Sequence, residues 1–220
     1  MNSLLKKMVW PLMAAPAIYL AIAWKSLPEK VAMHFNLKGE ADRFGSRNEL
    51  ITTIIIMTVV NMIVYLLLTN IWRIDPKKNA AENRNRIATI GFATVVLLSA
   101  VMCMIIYSAS RGNINFSVGL IFSGVGLFFA ILGNYLPNMK PNYFAGFRLP
   151  WTLENEENWR KTHQLAGRLW FSGGLILAVI CLFLPAEVAI IVFFTIMVTI
   201  TLIPCVYSYR LYRQQKNIHS

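Results

Sequence analysis

The sequence predicts an all-α integral membrane protein with six transmembrane helices and both termini in the cytoplasm. Three observations predict it. Of the 220 residues, 56% are hydrophobic and only 14% are charged, where ordinary globular chains carry about 25% charged residues. Six apolar runs approach the roughly 20 residues that cross a bilayer as a helix. Finally, 15 of the 21 Lys and Arg residues fall in alternate connections, the bias that marks cytoplasmic segments. The net charge of +11 is spread over several loops, so it reads as membrane anchoring against a lipid bilayer, with no direct binding of nucleic acid.

The six runs cover residues 8–24, 50–72, 87–108, 116–136, 169–184 and 188–209. Lys6 and Lys7 precede the first run as in a signal peptide, but the run continues to Trp24-Lys25, which suits an uncleaved span. Pro11 and Pro16 in the first run and Pro204 in the last each free a carbonyl that neighbouring helices must cover. Trp10, Trp24, Trp72, Trp170 and Tyr209 stand near run ends, where amphipathic rings prefer the headgroup level. The fifth and sixth runs are joined by Pro185-Ala186-Glu187 alone, so they must form an antiparallel hairpin. We divide the chain into an N-terminal helical hairpin, residues 1–72, and a four-helix membrane region, residues 73–220.

The runs themselves hold little chemistry. None contains Asp, Glu, Lys or Arg, which ion- and proton-coupled transporters place near the midplane. Asn61 reads as interhelical glue, and Gly119/Ser123, Gly126/Ala130 and Gly174/Ala178 as close-packing pairs. Cys103, Cys181 and Cys205 lie inside apolar runs without CxxC spacing and read as small core residues.

Two long connections remain. In the outer one, residues 25–49, Val31, Met33 and Phe35 alternate with Ala32, His34 and Asn36. That period of two is strand-like, and Lys38-Gly39-Glu40 offers a turn, so a short extracytoplasmic β-hairpin is expected. The inner connection, residues 134–168, is dense in Asn, Pro, Gly, Trp and His. Pro137, Pro141 and Pro150 keep its first half irregular. Gly146 sits between Phe144 and Phe147, where close backbone approach or a positive φ would need glycine.

Arg148 follows, either an inner-leaflet anchor or a guanidinium that grips phosphate or carboxylate. Thr152 reads as an N-cap, with Glu154, Glu156 and Glu157 behind it and Glu156–Arg160 and Glu157–Lys161 as i,i+4 pairs. These predict a short amphipathic surface helix over residues 153–165, running into the fifth run. Trp159, Thr162 and His163 lie on its other face, where His163 either bonds a backbone carbonyl or titrates as a switch. His34 and His163 fall on opposite sides of the membrane, and His219 gives neither a partner at ligand spacing, so we expect no metal. No cofactor motif or catalytic constellation stands out either.

Two segments carry a resemblance. Residues 133–163, GNYLPNMKPNYFAGFRLPWTLENEENWRKTH, resemble the signature of the SdpI family of bacterial membrane immunity and signalling proteins. Residues 27–47, LPEKVAMHFNLKGEADRFGSR, resemble the domain of unknown function that often precedes it. The resemblance implies a six-span protein of the bacterial cell membrane that protects against a secreted toxin peptide. It also implies a signalling receptor that holds a cytoplasmic winged-helix repressor at the membrane.

On that resemblance the outer candidates for the toxin are His34, Asn36 and Asp42. The matching inner candidates are Asn134, Pro137, Asn142, Gly146, Arg148, Trp151, Thr152, Trp159, Thr162 and His163. Two other readings stand beside it: a lipid- or small-molecule-handling carrier with Arg148 on a headgroup and a groove lined by Asn61 and Asn134, or a membrane enzyme using His163.

Overall fold

The computed structural model describes residues 3–36, 40–77, 80–111 and 115–218, with the backbone alone at residues 80, 115–117 and 218. Lys38, Gly39 and His219 therefore lie outside the described residues. Helix α1 (Ser3–Ala23) carries Pro11 and Pro16 within it. A hairpin of β1 (Lys30–Phe35) and β2 (Ala41–Ser46) follows, then α2 (Arg47–Asn70), α3 (Arg84–Arg111) and α4 (Asn115–Tyr135). A 3₁₀ turn (Leu136–Asn138) opens the irregular strip, which closes with short α5 (Pro150–Glu154), long α6 (Glu156–Ile180) and α7 (Ala186–Ile218).

Five segments are long and apolar enough to cross a membrane: Ser3–Ser26, Arg47–Arg73, Ala81–Arg111, Val118–Asn138 and Ala186–Asn217. The fifth expected run, residues 169–184, is absorbed into α6, whose first half is polar and whose apolar stretch stops at Ile180. The surface helix expected over residues 153–165 does run into the fifth run, but it begins at Glu156. It is the N-terminal half of α6, and helix runs unbroken into the apolar half.

The outer hairpin forms where alternation placed it. β1 and β2 pair antiparallel from Lys30↔Ser46 to Phe35↔Ala41, with an irregularity around His34. Arg47 Nε donates to the Pro28 carbonyl at 3.0 Å, tying the strand entrance to the start of α2. Leu27 and Val31 bury against Leu50 and Ile54 of α2 and Met102 and Ile106 of α3. The hairpin is thereby seated on one common end of the first three helices. Burying aliphatic side chains of this size stabilises by about 1.5–3 kcal/mol each.

Helices α4 and α6 are held by a different device. Gly119, Gly126 and Gly133 recur every seventh residue on α4; Gly167, Gly174 and Cys181 do so on α6. The two series meet antiparallel. A Cβ at Gly126 would lie 2.9 Å from the Gly174 carbonyl oxygen, and one at Gly133 would lie 2.8 Å from that of Gly167. A Cβ at Gly119 would press on the Cys181 carbonyl at 2.5 Å. The backbones touch with no side chain between them, and the seven-residue spacing keeps the seam on one side of both helices. Ser123 Oγ donates to the Ala178 carbonyl across it.

Candidate functional site

The inner connection folds into a layer in which nearly every polar side chain is spent on the backbone. Asn142 is 1% exposed. Its Oδ1 accepts the N–H groups of Phe144 (2.9 Å) and Ala145 (2.7 Å), and its Nδ2 donates to the carbonyls of Lys140 and Ala145. One amide thus replaces the ladder that residues 140–145, interrupted by Pro141, cannot make for themselves. Asn83 pairs with the backbone of Lys140 in both directions at 3.0 Å, fixing the strip to the entrance of α3. Asp75 accepts from the Tyr143 amide at 3.2 Å.

Gly146 is the one positive-φ residue described, at 103°. A Cβ there would overlap His163 Nε2. The bare backbone lets the imidazole approach the strip, and the Phe147 amide donates to Nε2 at 3.0 Å. His163 Nδ1–H donates in turn to the Trp159 carbonyl at 2.8 Å. These two bonds define the neutral Nδ1–H tautomer. The ring is fully buried and stacks on Trp159 at 4.0 Å. Its position lies in the polar half of α6, and burial pushes its pKa down to about 4, with the bond to Trp159 opposing the shift. Of the two roles open to His163, the geometry shows the backbone-bonding one.

The neighbouring residues complete a frame. Trp159 Nε1 donates to the Met139 carbonyl at 2.7 Å. Thr162 Oγ1 donates to Asn158 Oδ1 at 3.0 Å, and Asn158 Nδ2 donates to the Ser208 carbonyl on α7 at 3.0 Å. Thr152 is buried inside α5: its hydroxyl donates to the Phe147 carbonyl at 2.6 Å and accepts from the Leu149 amide at 3.0 Å. The N-cap of the long helix is Asn155, whose Oδ1 accepts from Asn158 N at 2.8 Å. Thr152 is therefore a tie inside the preceding turn, one step upstream of the helix start expected there. Glu157 and Lys161 pair at 2.8 Å on the exposed face.

Trp151, Arg148 and Asn134 differ from that buried group. Trp151 Nε1 donates to Ser208 Oγ at 3.1 Å, and the ring packs on Tyr209 and stacks on Tyr212, fastening α5 to α7. Arg148 is largely exposed and donates to the Tyr143 carbonyl at 2.7 Å, with the rest of its guanidinium at the surface. Asn134, on the last turn of α4, stands outside the frame and faces an apolar groove between α3 and α4. Pro137 packs on Gly167. Asn61 is buried far from either face and donates to Ser99 at 3.3 Å.

Asn83, Asn155, Asn158 and Ser208 were not singled out in the sequence, though Asn83, Asn158 and Ser208 are as buried in the frame as His163. Asn158 stands four residues before Thr162, the spacing at which helical side chains meet. Asn83 and Ser208 are joined to the strip only by tertiary contact and leave no local signal.

On the opposite face, His34 Nδ1 bonds Asp42 Oδ1 at 2.6 Å across the β-hairpin, and both side chains are exposed. Asn36 and Glu40 brace the turn: Asn36 N donates to the Glu40 carbonyl at 2.9 Å and Glu40 N to Asn36 Oδ1 at 3.0 Å. The three outer candidates thus lie together on one small surface.

Residues 138–208, which hold most of this frame, match the model of the SdpI/YfhL protein family. Residues 12–59, which contain the outer hairpin, match a domain of unknown function, DUF1648. The chain is 28% identical over 162 residues to the immunity protein SdpI of Bacillus subtilis strain 168, covering 74% of this chain and 75% of the relative. No solved structure matches it. With this similarity and its apolar helices, the chain is a multi-pass protein of the bacterial cell membrane.

Proposed function

We propose that this protein gives its cell immunity against a secreted antimicrobial peptide, received at the β1–β2 face, and signals occupancy to a cytoplasmic winged-helix repressor. The observation that carries the reading is the 162-residue similarity to an immunity protein. The fold supplies a physical route. The hairpin rests on α2 and α3 through Leu27, Val31, Leu50 and Met102, so a ligand pressing on His34 and Asp42 loads the outer ends of those helices. At the other end, Asn83 joins the entrance of α3 to the strip that carries Arg148.

In this reading both termini are cytoplasmic, and α6 is the sixth crossing, because it runs antiparallel to α4 along the whole glycine seam. The rigid frame around His163 sets the shape of the inner face, and Arg148, exposed at its edge, makes the contact with the repressor. An enzymatic role draws no support from His163, whose two ring nitrogens are both engaged by backbone groups.

The experiment is expression in a bacterium sensitive to a secreted cationic or hydrophobic antimicrobial peptide, with survival scored against an empty vector. Protection is expected, and His34→Ala with Asp42→Ala should abolish most of it while membrane levels hold. Full sensitivity of cells carrying normal amounts of the membrane-inserted protein would overturn the assignment.

A further inference from the structure

An apolar groove of about 690 Å³ opens between α3 and α4, floored by Phe171 and Leu175 of α6, with Leu5 of α1 beside its Thr89 end. On α3 it extends over residues 89–100 and on α4 over residues 124–135. At 1.5 Å rise, each stretch is about 16 Å long. That is one leaflet of a hydrocarbon core about 30 Å thick, on the side of the inner connection. The end on that side carries Thr89, Tyr135 and Asn134, and the Asn134 side chain makes no hydrogen bond among the described residues.

Immediately beyond that end lies a second, polar cavity of about 530 Å³ lined by Arg86, Lys140 and Arg160. The two are continuous along the chain. Arg86 stands three residues before Thr89 on the same face of α3, and Asn134 and Tyr135 lead into Pro137 and Asn138 of the polar cavity. Among the described residues none of these three cations has an ion-pair partner. Arg86 gives one bond to the Glu82 carbonyl at 3.0 Å and keeps its other donors. Glu156 and Glu157 also line this cavity, but Glu157 is already held by Lys161.

We propose that the groove and the polar cavity together bind one anionic phospholipid of the adjacent leaflet. The acyl chain lies between α3 and α4, the ester region meets Asn134 and Tyr135, and the phosphate meets Arg86 and Arg160. The one-leaflet length selects a lipid over a peptide that must cross the whole bilayer. The excess positive charge at the polar end selects a phosphate-bearing headgroup of net negative charge. This site is separate from Arg148 and stands whether or not the immunity reading holds.

The test is native mass spectrometry of the full-length protein in detergent, incubated with phosphatidylglycerol, with phosphatidylcholine, or with inorganic phosphate. Gly124 has room for a side chain, since a Cβ there meets only Leu97 at 3.5 Å. Gly124→Phe therefore plugs the groove, and Val96→Trp is the second plug should the first reduce folded yield. Retention of phosphatidylglycerol over phosphatidylcholine is expected, with a loss of about tenfold in either plug and in Arg86→Gln/Arg160→Gln. Ile191→Phe, on the exposed face of α7, should retain lipid as the unmodified chain does. Equal retention in the plugged and unmodified proteins would overturn the proposal, as would equal loss in Ile191→Phe. Displacement of the lipid by inorganic phosphate would reduce the site to a free-anion site and overturn it as well.

Discussion

The two faces of this protein use the same kinds of residue to opposite ends. On the hairpin face, His34 and Asp42 stand in the open and bond each other, while half-buried Asn36 is tied to Glu40 at the end of β1. On the inner face, His163, Asn142, Thr152 and Thr162 are buried, with their polar groups engaged by backbone or by one another. Histidine and asparagine suggest chemistry in either place. The difference teaches that the inner signature is mostly scaffold: it builds a defined surface from a proline-broken strip, and what remains for a partner is the edge, Arg148 and its surroundings.

Gly146→Ala should break the contrast most severely. It forces a methyl into the imidazole and strains a backbone at φ 103°, so we expect a loss of about 3 kcal/mol or more, read as a large fall in the thermal midpoint in detergent. An unchanged midpoint would mean that the strip is not locked against α6. Acid should attack the same point. The folded pKa of His163, near 4, lies below the unfolded value of about 6.5. Its contribution is therefore complete above pH 6.5 and is lost as the pH falls toward 4, a loss of about 3 kcal/mol across that window. In His163→Gln this acid-labile component should vanish, which denaturation at pH 7 and pH 5 will show.

Thr152→Val keeps the shape but strands the Leu149 amide and the Phe147 carbonyl, at a cost of about 1–3 kcal/mol. His34→Ala should change stability least, by less than about 0.5 kcal/mol, because its bond to Asp42 is exposed. The same substitution should nevertheless lower survival against the peptide sharply. A large stability loss at His34, or normal survival, would erase the distinction between the two faces.

Much of this arrangement was legible in the residues. The five spans and the hairpin follow from local periodicity and composition, which act over a few neighbours. Gly146 announced itself because two flanking aromatics leave room only for bare backbone. The helix starting at Glu156 was placed too early, since Thr152 resembles a cap and Asn155 does not stand out. Asn83, Asn158 and Ser208 were invisible for another reason: their partners are 50 or 57 residues away in the chain, and no pattern within one segment can reveal them.

The glycine seam also bears on how the protein is made. On the proposed arrangement in which α6 is the sixth crossing, its helix, ending at Ile180, offers a translocation channel little reason to release it sideways into lipid as an isolated segment. Mated to α4 along Gly126, Gly133, Gly167 and Gly174, it arrives already sheltered on one flank. Biogenesis therefore has an order: α4 must be in place before α6 can settle, and a bulky residue at any of those four glycines would be felt first as degraded, half-threaded chains rather than as a weakened finished product.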